Sequence, residues 1–441
     1  PLHDPAPLMT DLQTGLAGIA LLFLLLASSM PVAFAMTLVG LVGFAVVVNP
    51  AAALYMLATD YYDTFSSYGL TVIPLFVFMG QVAFHAGISR KLFNAAQSWF
   101  GWLRGGLAMA TVGACAAFGA ICGSGPATAA TMAAVCLPEM KRYRYHPGFA
   151  AGTVAAGGSI GMMIPPSVVF IVYGVLTEQS IGKLFIAGIV PGLLISAMFM
   201  ATIALLCARR PGLAPPASAA GWRERCRSLG GVVETLLLFA LVMGGMFAGW
   251  FTPTEAAAVG AAGSVAIALG ARKASFRMLA TAMGETLRTS CMVLVIVAGA
   301  TVFGHFLQIT NVPTELAAWM SGLPLPAWGI MLAILFFYLV AGAFLDALAL
   351  VMLTIPIFYP VVLDLGYDPI WFGVMIVLVT QMGVISPPVG VNVYVVSGMD
   401  RAVSLQSVFK GALPYLAALI VAALLLLAFP QIVTVPTTWV K

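Results

Sequence analysis

Residues 157–167 read GGSIGMMIPPS, inside a stretch from Phe149 to Thr177 that has no charged side chain. The consecutive prolines remove two backbone donors, which forces a helix to open at that point. A lipid bilayer does not tolerate unpaired backbone groups, so such a break must line a cavity or bind something. The stretch Trp371–Met399 has the same character, with Gln381, Gly383 and Ser386-Pro387-Pro388. We therefore expect two broken helices, at about 148–181 and 371–400.

The two breaks belong to an internal duplication with an offset of 222 residues. Five prolines keep this register, since positions 31, 138, 147, 165 and 166 map onto 253, 360, 369, 387 and 388. Prolines make up 27 of 441 residues, so chance alone does not explain five in register. We expect one repeat over residues 1–208, a polar linker over 209–230 and a second repeat over 231–441.

The composition assigns the chain to the membrane. Hydrophobic residues make up 62 % of it and charged residues only 8 %, with a mean hydropathy of +1.06. Soluble domains carry about 25 % charged residues, so this chain cannot be a soluble enzyme. The net charge of +4 gives no indication of nucleic-acid binding. The six cysteines form no CxxC pair and the four histidines no metal motif. We predict no enzyme activity and no cofactor.

Lysine and arginine are concentrated in cytoplasmic loops of membrane proteins. One topology places 17 of the 19 basic residues on a single side, leaving Lys183 and Lys441 opposite, and it puts the N-terminus outside. Residues Gly105–Pro138 are then an uncharged run of 34 between two cytoplasmic basic groups. Two crossings need roughly 40 residues, at about 20 each. We therefore predict a re-entrant hairpin at about 105–140, with its tip at Gly123–Thr128.

The second repeat has a matching hairpin at about 329–363, flanked by acidic residues. It would enter from the outside and turn near Gly342–Ala347. The two repeats are therefore expected to be inverted. Segments 88–103 and 272–287 mix basic and apolar residues at helical spacing, and we expect interfacial helices there.

The first ten residues are polar and lack the basic region of a signal peptide. Either Met9 is a native start, or the chain continues from an upstream segment.

Four segments resemble the large membrane (M) subunit of TRAP (tripartite ATP-independent periplasmic) transporters, of the C4-dicarboxylate and sialic-acid type. They are GSGPATAAT at 123–131, GGSIGMMIPPS at 157–167, FLD at 344–346 and ISPPVGVNVYV at 385–395. The resemblance covers nearly the whole chain.

The resemblance implies a multi-pass protein of the bacterial inner membrane. It would import carboxylate-bearing solutes with a sodium gradient, by an elevator movement of the hairpin-bearing domain against a scaffold. It also implies two partners: a periplasmic substrate-binding protein and a small four-helix membrane subunit, which in some systems is fused upstream.

The first hairpin tip and first break form the predicted sodium site 1. Oxygen ligands suit a hard cation, and the tip offers hydroxyls and freed carbonyls. The predicted ligands are Gly123, Ser124, Gly125, Thr128, Pro165 and Ser167. The alternative is that these glycines only permit close helix packing.

The second tip and break form the predicted sodium site 2, with Gly342, Asp346, Thr380, Gly383, Ser386 and Pro387. A carboxylate within the membrane is costly and suggests function. The alternative for Asp346 is a helix cap that faces a water-filled vestibule.

The solute is expected between the two tips, at Ser124, Pro126, Asp346, Pro388 and Asn392. Neither hairpin contains a basic residue, so hydroxyls, backbone N–H groups, helix N-termini and bound sodium must hold the carboxylate. Asn392 is either a side-chain donor to the solute or a helix cap.

Three other functions are open from the sequence. A self-sufficient divalent-anion/sodium symporter shares the inverted hairpins but needs no binding protein. A passive channel fits two occluding hairpins poorly, and a membrane enzyme lacks a triad, a metal cluster or a nucleotide loop.

Overall fold

The structure is a computed structural model, and it describes residues 10–216, 221–322, 324–400 and 403–438. These residues form helices and connecting turns, without a strand. The helices of the first half are α1 (Asp11–Ala27), α2 (Val32–Val47), α3 (Pro50–Ser66), α4 (Val72–His85), α5 (Ile88–Phe100), α6 (Gly106–Cys122), α7 (Gly125–Arg142), α8 (Pro147–Ser159), α9 (Val168–Leu176) and α10 (Ile181–Arg209). Single 3-10 turns lie at Gly69–Thr71 and Ile160–Met162.

The rest of the described chain begins with α11 (Trp222–Leu229), inside the predicted linker. The second half contains α12 (Val233–Phe247), α13 (Pro253–Gly270), α14 (Phe276–Ile309), α15 (Val312–Ser321), α16 (Ala327–Gly342), α17 (Ala347–Asp364), α18 (Pro369–Gly383), α19 (Val391–Met399), α20 (Leu405–Ala428) and α21 (Gln431–Thr437).

When 222 is added to the residue numbers of helices in the first half, the result coincides with helices of the second half. It maps α7 onto α17 at both ends, and it maps the first residue of α8 onto the first residue of α18. Both of these first residues are prolines, Pro147 and Pro369. Proline favours the first helical turn, where its missing N–H would have no partner in any case. The prolines that keep register in the sequence therefore mark equivalent points of the two halves.

The halves differ in their third and fourth helices. Helices α3 and α4 are bent by 55° at their junction, whereas their counterpart α14 is a single helix of 34 residues. The prediction of a separate interfacial helix at 272–287 is therefore wrong, because Phe276–Leu287 is the first part of α14. Gly284 is the only glycine in this stretch, which contains no proline, and one glycine does not end a helix. The other predicted segment, 88–103, contains the separate helix α5.

Several helices suit a bilayer. Helices α10, α14, α17 and α20 are each long and apolar enough to cross a membrane, and the bent pairs α3–α4 and α11–α12 pass when taken together. Large apolar side chains such as Leu24, Leu193, Leu237 and Leu424 lie exposed on the surface. The expected all-helical polytopic membrane fold is confirmed.

The helices pack as two bundles. Helix α2 packs along α14, and α4 packs on α13 and α14, so α1–α4 with α12–α14 form one bundle, here called the scaffold. Helix α8 packs on α7 and α20, and α16 packs on α18. Helices α6–α10 and α16–α20 form the second bundle, here called the hairpin bundle. Helices α5 and α15 lie against its α6 and α17.

Candidate functional site

The first hairpin tip is a two-residue turn between α6 and α7. Gly123 has φ +65°, a left-handed conformation that glycine adopts without penalty. Ser124 is extended and is the N-cap residue of α7, but its side chain makes no cap hydrogen bond, and Pro126 lies in the first turn of the helix. The Gly123 carbonyl accepts a hydrogen bond from the backbone N–H of Val168, at 3.3 Å. The tip is therefore tied to the start of α9.

The first break separates α8 from α9 by a 3-10 turn and the cis peptide Pro165–Pro166. Ser167 caps α9 and accepts from the Phe170 N–H at 3.5 Å. All residues from Pro165 to Val168 are buried. A Cβ on Gly119 would lie 2.5 Å from the Gly161 Cα, so the hairpin and the broken helix touch backbone to backbone. Packing is thus a real role of these glycines.

The same region also contains one buried hydroxyl oxygen without a hydrogen-bond partner. Thr128 Oγ1 is buried and has no hydrogen-bond partner. A Cβ on Gly161 would lie 2.6 Å from this hydroxyl and 3.3 Å from the Ser124 carbonyl oxygen. A buried hydroxyl without a partner costs about 1–3 kcal/mol, so a ligand that accepts its lone pair would offset that cost. The donor set fits a hard cation, and Gly123, Ser124, Gly125 and Thr128 of the predicted sodium site 1 lie together here.

The second tip repeats the first with different side chains. Helix α16 ends at Gly342, and Asp346 caps α17 by accepting from the Leu348 N–H at 3.1 Å. The Val389 N–H donates to the Ala343 carbonyl at 3.2 Å, as Val168 does to Gly123. A Cβ on Gly383 would lie 2.5 Å from the Gly342 carbonyl carbon and oxygen.

The second break contains the cis peptide Pro387–Pro388 and ends at Gly390, with φ +54°. Its hydroxyls donate within their own segment, Thr380 to the Val377 carbonyl at 2.9 Å and Ser386 to the Met382 carbonyl at 2.7 Å. Each oxygen keeps a lone pair for a cation. Residues Pro387–Val389 are exposed, whereas Pro165–Ser167 are buried, so the two breaks are not in equivalent surroundings.

Both tips line one cavity of about 740 Å³ at the boundary of the two bundles. The scaffold contributes α2, α4 and α14. Described residues that line the cavity include Pro31, Gln81, Ser124, Pro126, Val168, Thr289, Ile296, Asp346 and Val391. Ser124, Pro126 and Asp346 of the predicted solute site are among them.

Two predicted solute residues lie elsewhere. Pro388 is exposed and does not belong to the described cavity lining. Asn392 is fully buried, and its Nδ2 donates to the Ala155 carbonyl at 3.0 Å while its backbone N–H donates to the Val384 carbonyl. It ties α19 to α8 instead of facing the cavity, and its neighbour Val391 lines the wall.

The electrostatics of the cavity come from helix ends. Among the described lining residues there is no lysine, arginine or histidine, and Asp346 is the sole carboxylate. The first turns of α2, α7, α9, α17 and α19 all reach the wall. Each helix N-terminus carries a partial positive charge. The cavity can therefore attract an anion without a basic side chain.

Sequence reasoning missed the scaffold side of this cavity. Gln81, Thr289 and the start of α2 at Pro31 were not among the predicted residues. One signal was available for the last of these, because Pro31 is one of the five prolines that keep the repeat register.

The comparisons with known protein families and sequences identify the same transporter family. Residues 19–432 match the family described as "Tripartite ATP-independent periplasmic transporter, DctM component". The chain is 36 % identical over 384 residues to the C4-dicarboxylate TRAP transporter large permease protein DctM of Pseudomonas aeruginosa, covering 87 % of this chain and 89 % of the relative. It is 38 % identical over 381 residues to the isethionate TRAP transporter permease protein DctMQ of Oleidesulfovibrio alaskensis, covering 84 % of this chain and 58 % of that one.

A solved structure shares the fold. The YdaH transporter of Alcanivorax borkumensis superposes with a TM-score of 0.61 at 16 % identity, covering 86 % of this chain and 88 % of that chain. At this identity the likeness concerns the fold alone.

Proposed function

This chain belongs to the DctM component family of the tripartite ATP-independent periplasmic transporters, and we propose that it imports an organic acid with sodium as the coupling ion. The family confirms the resemblance seen in the sequence, and its members are transporter components and not enzymes. The solute class we propose is a dicarboxylate or a sugar acid. The membrane we propose is the bacterial inner membrane.

The family description is tripartite, which supports two partners for this chain. We propose that a periplasmic binding protein delivers the solute and that a small four-helix membrane subunit packs on the scaffold. The relative named DctMQ is longer than the matched region, which supports fusion of the small subunit in some members.

The observation that carries the proposal is the charge arrangement of the cavity between the tips. An organic anion that enters it meets the Asp346 carboxylate, which repels it, and five helix N-termini, which attract it. A cation beside Asp346 would remove the repulsion and favour the anion. This gives a physical reason for coupling: the solute binds well only when a cation is already present.

Sodium would be held by oxygen atoms at each tip. Site 1 would use Thr128 Oγ1 and carbonyls of the first tip and break, and site 2 would use Asp346 with the second tip and break. When bound, sodium supplies positive charge beside the solute and ties each tip to its broken helix. The solute carboxylate would then contact the Ser124 hydroxyl and the first turns of α7 and α17.

The two bundles support an elevator movement. The solute cavity lies at their boundary, and a second boundary cavity of about 160 Å³ is lined by apolar scaffold residues such as Leu22 and Phe303 and apolar hairpin residues such as Leu353 and Phe358. An interface of this kind has few hydrogen bonds to break when one bundle slides. We propose that the hairpin bundle moves with the solute while the scaffold stays in place.

Reconstitution of the complete system in proteoliposomes tests this function. Labelled succinate, isethionate and N-acetylneuraminate are the probes, each offered with and without the periplasmic binding protein under an inward sodium gradient. We expect uptake of one of them only when the binding protein is present. Equal uptake without it would favour the self-sufficient symporter, and sodium-independent equilibration would favour a channel.

A further inference from the structure

The scaffold wall of the cavity lies near the basic ends of α4 and α14. Val77 and Gln81 of α4 line it, and the next residue on that helix face is His85. Thr289 and Met292 of α14 line it, and Glu285 lies on the same face one turn earlier. Arg90 and Lys91 follow α4, and Arg272 and Lys273 precede α14, so this is the cytoplasmic end by the distribution of basic residues.

A polar bridge spans the two helices at this point. His85 Nε2 lies 3.0 Å from Glu285 Oε2, with side chains 22 % and 44 % exposed. Because an ionised carboxylate only accepts, Nε2 is the donor. The bridge joins α4 to α14 one helical turn from the cavity-lining residues Gln81 and Thr289.

Arg288 lies about one helical turn after Glu285 on α14. It is exposed and shares a helix face with Met292 and Val295, which line the cavity. Among the described residues it forms no ion pair, since the salt bridges found there involve other side chains. Lys273 lies near the same bridge, because a Cβ on Gly87 would lie 2.7 Å from its Nζ. Arg288 and Lys273 therefore carry positive charge near the His85–Glu285 bridge, whereas the described lining of the cavity has no basic side chain.

We propose that Arg288 is a positioning residue for solute release, a basic side chain one helical turn from the cavity-lining Met292 that attracts the solute carboxylate toward the cytoplasm. The inference rests on the proposed function. The helix N-termini that hold the anion give no direction to its departure, whereas an arginine one helical turn before Met292 on α14 does. Within the same proposal, His85 stays hydrogen-bonded to the Glu285 carboxylate, so that this acid does not repel the departing anion.

The test uses the complete reconstituted system with labelled succinate, isethionate or N-acetylneuraminate, whichever the wild type takes up. Arg288→Gln should lower the maximal uptake rate roughly two- to fivefold, the range of one partly exposed charge. The concentration of loaded binding protein that gives half-maximal rate should not change. Arg288→Lys should retain most of the rate. Higher ionic strength in the lumen should narrow the difference between Arg288→Gln and the wild type.

The matched control is Arg277→Gln. Arg277 is an exposed arginine of the same helix, about three turns before the cavity, and its replacement should leave the uptake rate unchanged.

The bridge is tested by a second pair of variants. His85→Phe should slow uptake, and adding Glu285→Gln to it should restore the uptake rate because the unpaired carboxylate is gone. Labelling of the native Cys291, which lines the cavity, should proceed at the wild-type rate in each variant and so report an intact fold.

The experiment distinguishes a failure of the proposed function from a failure of the role assigned to Arg288. If the wild type takes up none of the probe acids, the proposed function itself fails. If the wild type transports and Arg288→Gln transports equally fast, or Arg288→Lys is as slow as Arg288→Gln, the release role is wrong. A His85→Phe/Glu285→Gln double variant no faster than His85→Phe would remove the part assigned to the bridge.

Discussion

The backbone N–H of Val168 donates to the carbonyl of Gly123 across 3.3 Å, which joins the start of α9 to the first hairpin tip. The second half repeats this with Val389 and Ala343 at 3.2 Å. Each tip is therefore held by a residue one or two positions after a proline pair, close to the point where the prolines leave the backbone open. A ligand that binds a tip also binds its broken helix, so the two elements should respond to it as one unit.

Asp346 is the first residue that we would change. Asn is as good a helix cap as Asp, so Asp346→Asn should keep the bond to the Leu348 N–H and remove only the charge. If the carboxylate holds sodium, the loss of about 1.5–3 kcal/mol raises the sodium concentration for half-maximal uptake roughly ten- to over a hundredfold. Ser124→Ala should have a similar but smaller effect. Glu315→Gln, at an exposed acid, is the control. An unchanged sodium dependence in Asp346→Asn would leave this residue as a cap only.

Thr128 offers a second test with an isosteric change. Its hydroxyl is buried without a partner, so Thr128→Val should be neutral or stabilising if nothing binds there. If the hydroxyl is a sodium ligand, the change costs about 0.5–1.5 kcal/mol and raises the half-maximal sodium concentration roughly two- to tenfold. Thr111→Val is the matched control, since this buried hydroxyl on α6 donates to the Leu107 carbonyl within its own helix. Equal sodium curves for both variants would rule out Thr128 as a ligand.

Gly383 tests the contact between the second hairpin and its broken helix. Gly383→Ala would place a methyl group 2.5 Å from the Gly342 carbonyl, so the two backbones must separate. We expect a loss of about 1–3 kcal/mol in stability, measured as a lower midpoint of thermal unfolding in detergent, and a lower uptake rate. Gly244→Ala is the control because nothing lies within 4 Å of its new methyl group. If both variants unfold at the same temperature, the close approach at Gly383 is not needed.

Topology is tested by labelling single cysteines with a membrane-impermeant maleimide. Lys141 at the end of α7 and Asp364 at the end of α17 are both exposed. The 222-residue repeat makes these ends nearly equivalent, so inverted repeats must place them on opposite faces. A cysteine at 141 should react only from the cytoplasm and one at 364 only from the periplasm. Reaction of both from one face would refute the inversion.

The positions of proline and glycine in the sequence predict much of this fold. Pro147, Pro369 and the two proline pairs predicted the repeat and both breaks, because proline limits the backbone irrespective of what surrounds it. The cap at Asp346 follows from the same local chemistry. The two hairpins were predicted from the charges that flank their uncharged runs.

The faces of the helices were harder to predict. In a membrane protein the lipid side and the packed side of a helix are both apolar, so periodicity does not tell them apart. For this reason the cavity-lining positions Gln81 and Thr289 were not found, and Asn392 was placed at the solute when it bonds to Ala155. The continuity of α14 was missed because its basic first turns resemble a surface helix.

The central claim is sodium-coupled uptake of an organic acid, and replacement of the cation tests it most directly. Proteoliposomes that contain the complete system receive the loaded binding protein with either sodium or choline outside, at fixed pH and membrane potential. We predict uptake with sodium and background counts with choline, because the anion cannot bind beside Asp346 without a cation. Undiminished uptake in choline, driven by a proton gradient alone, would contradict the account.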